Sequence, residues 1–349
     1  MKRQRTRKGA PGIIEVAQRA GVSAATVSRF FNTPDIVRAP TRNRIEKAAS
    51  DLGYIRDRMA GTLHNRFSGT MGLVVPTIDN AIFAELIEAF SARLQQHDRT
   101  MLIAAHGYDL SLEVAIIRSL LERRIDGVAV IGLTHETASL EMLATRNVPV
   151  LAAWNYRPDS QMPCIGADNF DAGYQVARHL IEHGHRDIGL LFPPTAFNDR
   201  ASDRLQGAFS ALAEAGISVP RHRVIDTQYD IGEAKQIVGH LLENDPPTAL
   251  LCGNDIIAHG AIYACHLRHV SVPQDMSIIG IGDFRGSAHI EPPLTTVRLP
   301  ARRIGESVAD QLCFADTVLR PEKGNRVLVP SRFIRRNSVT FPPSAAKQQ

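Results

Sequence analysis

The sequence predicts a small all-α head followed by a body of two doubly wound α/β lobes. Three observations lead there. The 349 residues are ordinary globular material, 44% apolar and 22% charged, and at ~100–200 residues per domain they leave room for two or three domains. From residue 68 onward, short apolar runs alternate with helical patterns, and the alternation restarts near residue 187. That is the mark of parallel sheets with crossover helices. Charge also divides unevenly: residues 1–66 hold 14 Lys/Arg and 5 Asp/Glu, a balance of +9, which leaves −5 for residues 67–349. A basic head on an acidic body points the head toward a polyanion.

Residues 1–11 are a charged, Gly/Pro-ended arm with no apolar periodicity, expected to be disordered. Residues 12–55 read as three short helices. Ile13, Val16, Ala17 and Ala20 recur at helical spacing and stop at Gly21. Ser23 is a good N-cap for the helix that carries Ala24–Phe31. Pro40 opens a third helix with the stripe Ile45, Ala48, Ala49 and Leu52, and Gly53 ends it. Residues 56–67 link the head to the body, a segment that the resemblance described below implies is a hinge.

In the body, residues 68–340, the expected strands are Met71–Val75, Met101–Ala104, Gly127–Ile131 and Pro149–Ala152. After the restart they are Asp187–Phe192, Val224–Thr227, Ala249–Cys252 and Ser277–Ile281. Helices are expected at Ala81–His97, Leu112–Arg123, Ala172–His183, Ala201–Ala215, Ile231–Asn244 and Asn254–His269. The first lobe takes about residues 68–167 and 297–325, the second about 168–296 and 326–340, and residues 341–349 form a disordered tail. Open α/β sheets bind ligands at the carboxyl ends of their strands, so the cleft between the lobes is the expected small-molecule site.

Several function classes fall away. No apolar run approaches the ~20 residues of a membrane span, and no apolar stretch follows the basic start as a secretory signal requires. Cys164, Cys252, Cys265 and Cys313 are scattered, as buried thiols of a reducing compartment would be. A cytoplasmic location is expected, with no membrane partner. No phosphate-binding loop, zinc-protease or nucleophile-elbow sequence occurs, and no carboxylate pair has acid–base spacing. No enzyme activity, catalytic residue, metal or cofactor is therefore expected. His183-Gly184-His185 could read as a metal pair, but the family resemblance described below implies a helix-to-strand corner instead.

Ile14–Phe31, IEVAQRAGVSAATVSRFF, has the form helix, Gly-containing turn, second helix, which places the second helix in a DNA major groove. Here the residues also carry a resemblance. AQRAGVSAATVSRFFN, then Thr41-Arg42 and Asp51-Leu52-Gly53-Tyr54, resembles the lactose/galactose-repressor (LacI-type) family of bacterial transcription factors. It continues through Asp168-Asn169, Gly184-His185, Arg204-x-x-Gly207, Asn254-Asp255, Pro292–Val297 and Arg332–Ser338. TVSRFF, LGYI, FAE and GADNF are most similar to repressors of the gluconate-operon type.

The resemblance implies a periplasmic-binding-protein-like core and a homodimer that binds a pseudo-palindromic double-stranded operator, with a sugar or sugar acid as effector. No heptad tail follows residue 338, so a dimer rather than a tetramer is expected. Base reading falls on Ala24 and Ala25, where an Ala offers apolar contact to a thymine methyl. Ser23, Thr26 and Ser28 would meet phosphates, and Arg29 a base or phosphate. Leu63 falls where the family inserts a minor-groove wedge, the other reading being an idle linker residue. Arg56 replaces the usual hinge Pro, and Gly61 the usual Arg, which weakens a hinge helix. The implied effector contacts are Asn80, Ile82 and Phe83 in the first lobe, with Arg204, Asn254 and Tyr229 in the second. Trp154 stands where an Asp is common and reads either as a cleft residue or as a packing aromatic. Gly282 replaces a sugar-gripping Asp, with Asp283 next to it. Losing acceptor carboxylates leaves room for an anionic ligand meeting Arg204, with Arg200 or Arg157 assisting. A cytosolic solute-binding protein and a sugar-acid enzyme on the same scaffold are the competing readings.

Overall fold

The computed structural model describes residues 11–56, 67–314 and 325–343. The expectations for the basic arm, for the hinge with Leu63 and Gly61, and for the last residues of the tail lie outside the described residues. The chain divides into two compact units, residues 1–68 and 69–349.

The first unit is built from α1 (Ile13–Ala20), α2 (Ala24–Asn32) and α3 (Ala39–Leu52). Val16, Val27 and Ile45, one from each helix, are fully buried in a single core. Gly21 adopts φ +64°, and its N–H meets the Ala17 and Gln18 carbonyls, a left-handed stop that a Cβ would strain. Two residues later the Ser23 hydroxyl accepts the Thr26 N–H at 3.2 Å and starts α2. The tight turn therefore rests on a glycine and a serine that the sequence already displays.

In the second unit, two six-stranded sheets form two lobes. The first contains β1 (Thr70–Val75), β2 (Thr100–Ala105), β3 (Gly127–Ile131), β4 (Val150–Asn155), β5 (Cys164–Ala167) and β11 (Arg326–Leu328) in the order β11-β5-β4-β3-β1-β2. The second contains β6 (Ile188–Phe192), β7 (Val224–Asp226), β8 (Ala249–Cys252), β9 (Ser277–Gly282), β10 (Thr295–Arg298) and β12 (Arg332–Ile334) in the order β12-β10-β9-β8-β6-β7. All pairs are parallel except β10 with β12. The helices are α4 (Ala81–Gln96), α5 (Glu113–Glu122), α6 (Thr137–Thr145), α7 (Asn169–Glu182), α8 (Asp199–Glu214), α9 (Ile231–Asn244), α10 (Asp255–Leu267) and α11 (Ala301–Cys313).

Two expected boundaries shift. β10 runs to Arg298 beside β9 in the second sheet, and β11 pairs with β5 in the first sheet, so residues 326–328 belong to the first lobe. Strands this short carry too few residues for periodicity to assign them, and pairing with the neighbouring strand decides where they go.

A buried carboxylate locks the second sheet to its last loops. Asp255, fully enclosed, accepts hydrogen bonds from Asp283 N–H (2.8 Å), Phe284 N–H (3.3 Å), Ser287 Oγ (2.6 Å) and Thr296 Oγ1 (2.7 Å). Burial pushes this carboxyl up to about 6, against the pull of its four donors. Asp255→Asn turns an amide donor toward groups that themselves donate. It is expected to cost about 2–4 kcal/mol in a urea-denaturation measurement.

Candidate functional site

The residues expected to meet DNA lie on α2 and at its N-cap. Ser23, Ala25 and Arg29 are exposed, while Thr26 and Ser28 are half-buried. Ala24 is half-buried as well and packs against the core of the head, so Ala25 is the more open of the two alanines. Ser23 Oγ lies 2.9 Å from Thr26 Oγ1, and Ser28 Oγ accepts from Asn32 Nδ2 at 3.3 Å. Arg29 makes no ion pair among the described residues. Arg56 plays a structural part, since its guanidinium donates to the Phe31 carbonyl at 2.5 Å and also to Asn32 Oδ1. A cation there complements the carbonyl end of α2.

The body's polar residues converge where the strands of both sheets end. Glycine sets the spacing, because α7 and α8 touch backbone to backbone. A Cβ on Gly173 would lie 1.9 Å from the Arg204 carbonyl oxygen, and one on Gly207 1.9 Å from that of Phe170. This contact holds Asn169, at the start of α7, beside Arg204 on α8. Arg204 is 3% exposed and donates from Nε to Asn169 Oδ1 at 2.8 Å and from Nη1 to the Gly253 carbonyl at 3.0 Å. Both partners are neutral. Among the described residues no carboxylate pairs with it, and burial lowers its pKa.

The other cleft arginines are matched. Arg157 from the first lobe forks onto Asp203 of α8, with Nε to Oδ2 at 3.1 Å, and Arg200 Nη1 meets Asp199 Oδ1 at 2.8 Å. Asp199 also reaches into the first lobe, its Oδ2 accepting Leu133 N–H and Asn155 Nδ2 at 2.8 Å each. Burial pushes the Asp199 carboxyl upward, but Arg200, Asn155 and the Leu133 amide together hold it below its ordinary value. Arg200 in turn donates to the Ile131 carbonyl at 3.2 Å. Gly132, with φ +94°, lies against this pair, where a Cβ would come within 2.6 Å of both side chains. Three guanidinium groups thus face two carboxylates, and the unmatched positive charge is that of Arg204.

The remaining expected contacts separate into four groups. Asn80 and Asn254 are N-caps: Asn80 Oδ1 accepts Ile82 N–H at 3.3 Å, and Asn254 Oδ1 accepts Ile256 N–H at 2.8 Å. Ile82, Phe83 and Trp154 belong to the main hydrophobic core. Trp154 is 1% exposed and meets Phe83 edge-on at 5.3 Å, the packing alternative of its two readings. Tyr229 stacks on Tyr108 of the first lobe with centroids 5.7 Å apart, and its hydroxyl accepts Asn198 Nδ2 at 3.2 Å. Asp283 is the correction. Its carboxylate is committed to Arg298 at 2.9 Å and Arg336 at 2.6 Å, because the left-handed turn after Gly282 aims it at those side chains.

Sequence reading missed Tyr108, Asn155, Asn169, Asp199 and Asp203 as members of the site. The available signal was position: Asn155 ends β4, and the two aspartates lie in the first turns of α8. His183-Gly184-His185 is the expected corner, with His185 bonded to Thr248 Oγ1, Ser277 Oγ and the Thr340 carbonyl.

Comparison with known proteins agrees with both units. Residues 12–57 match the family described as bacterial regulatory proteins, lacI family, and residues 68–337 match periplasmic binding proteins and sugar binding domain of LacI family. The HTH-type transcriptional repressor PurR of Klebsiella pneumoniae is 32% identical over 334 residues, covering 95% of this chain and 97% of its own length. The transcription regulator GntR from Chromobacterium violaceum superposes with a TM-score of 0.71 at 29% identity, covering 77% of this chain and 98% of that one. The Lac repressor dimer bound to operator and the anti-inducer ONPF gives a TM-score of 0.83 at 25% identity, covering 95% and 100%. The chain belongs to the LacI family of bacterial regulatory proteins: it is a ligand-responsive, DNA-binding transcriptional repressor, not an enzyme.

Proposed function

We propose that this repressor acts in the cytoplasm as a homodimer on a pseudo-palindromic operator, and that its cleft takes a small sugar acid. The observation that carries the ligand class is Arg204, a buried guanidinium with only neutral partners among the described residues. An unpaired buried charge is costly, and an incoming carboxylate both neutralises it and fits the planar fork. Tyr229 and Tyr108 stand near Arg204, and their hydroxyls suit those of such a ligand. Two further likenesses support this reading: that of TVSRFF and GADNF to gluconate-operon repressors, and that of the whole body to a regulator named GntR.

On the DNA side, Ala25 and Ala24 would meet base methyl groups, and Ser23, Thr26 and Ser28 would meet phosphates. Arg29 supplies the one cation of the recognition helix. Two heads related by a two-fold axis would read the two half-sites.

The test is a thermal-shift panel on the full-length protein, read beside operator release in a gel-shift. D-gluconate and D-galacturonate are set against D-glucose, D-ribose, cellobiose and a purine base. A sugar acid at 100 times its Kd is expected to add about 2.7 kcal/mol of stability and to change operator affinity. A response to a neutral sugar or a purine base, with none to any sugar acid, overturns the proposed ligand class.

A further inference from the structure

Arg204 does not stand alone. Its Nε donates to Asn169 Oδ1 at 2.8 Å, Asn169 Nδ2 donates to Asn155 Oδ1 at 2.9 Å, and Asn155 Nδ2 donates to Asp199 Oδ2 and Asp203 Oδ2, both at 2.8 Å. Both asparagines are 0% exposed. An ionised carboxylate only accepts, so the two aspartates oblige Asn155 to present its NH₂ to them and its carbonyl to Asn169. Asn169 must then turn its own NH₂ toward Asn155 and its carbonyl oxygen toward Arg204. The polarity of every link is thereby fixed from one end. The chain also crosses the cleft: Asn155 ends β4 in the first lobe, while Asp199, Asp203 and Arg204 ride on α8 in the second.

We propose that Asn155 and Asn169 are positioning residues for effector binding, a buried amide relay that holds the Arg204 fork toward the ligand. With Nε and Nη1 engaged, Nη2 is left without a partner among the described residues. The relay ties the orientation of the Asn169 amide to closure, because Asn155 meets the α8 carboxylates only when the first lobe lies against them. Opening the lobes would release Asn155 and leave the Asn169 amide without the group that orients it, while Asn169 and Gly253 still flank Arg204 within the second lobe. The inference rests on the reading that Arg204 meets the effector.

The test follows the Arg204 Nε–H by NMR in the full-length protein, first without ligand and then with D-gluconate and D-galacturonate. In the ligand-free wild type this proton is expected to exchange at least tenfold more slowly than those of exposed arginines. Asn155→Asp sets a third carboxylate against Asp199 and Asp203. It is expected to abolish that protection and to lower affinity for the sugar acid at least tenfold. Asn169→Asp behaves differently. It hands Arg204 a carboxylate, so the Nε–H stays protected while affinity for the acid falls at least tenfold. A role limited to packing predicts no such split between protection and affinity. A wild-type Nε–H that exchanges like an exposed arginine overturns the relay, as does a folded Asn155→Asp variant with unchanged protection. Both results hold whether or not any sugar acid binds. A protected Nε–H in a wild type that binds no sugar acid supports the relay and overturns the ligand class instead.

Discussion

Replacing Arg204 with alanine is expected to lower affinity for a carboxylate effector by about 2–4 kcal/mol, roughly 30- to 1000-fold. The magnitude follows from burial. A charge-assisted hydrogen bond in a water-excluded site is worth about 1.5–3 kcal/mol, and the fork offers more than one. The same substitution should cost the ligand-free protein far less than removal of a paired charge, because no carboxylate is orphaned by it. Calorimetric titration and urea denaturation measured side by side check both halves. Loss of binding accompanied by an equal loss of folding stability would mean that Arg204 is a structural group. Arg204→Lys is the sharper control, since it keeps the charge and removes the planar fork.

Arg29→Ala is expected to weaken operator binding by about 1–3 kcal/mol. Arg29 is exposed on α2 and makes no ion pair among the described residues, so its loss leaves the core of the head intact. Fluorescence anisotropy across a salt series separates its two possible contacts. If it meets a phosphate, all sequences weaken alike, and the slope of log affinity against log salt falls by about 0.9. If it meets a base, discrimination at one operator position is lost while the slope changes less. Unchanged affinity at fixed salt removes Arg29 from the interface.

The head was legible because its signals are local. Gly21 stops one helix and Ser23 caps the next. The apolar stripe on each side identifies the buried face, and the balance of +9 over residues 1–66 identifies the polyanion partner. Arg56 shows where local reading ends. In sequence it is a missing hinge proline, yet in the structure it binds the Phe31 carbonyl and the Asn32 side-chain oxygen at the end of α2, 25 and 24 residues earlier in the chain. No pattern of spacing announces a contact that only folding creates.

The body follows the same rule on a larger scale. Its alternating strands and helices were readable from periodicity, and the family resemblance pointed to Arg204 as a cation of the expected cleft. Trp154 and Asp283 were not readable in this way. Whether an aromatic faces ligand or core, and whether a carboxylate is free or already paired, depends on neighbours distant in sequence: Phe83 for Trp154, Arg298 and Arg336 for Asp283. The sequence by itself determined the division into a basic helical head and an acidic two-lobed body, since propensity, capping and charge act over a few residues. Only the tertiary structure decided which polar groups remain available. Asp199, Asp203, Asn155 and Asn169 satisfy one another across the lobes, and the charge of Arg204 is the one left over, because hydrogen-bond partners are assigned by proximity in space rather than along the chain.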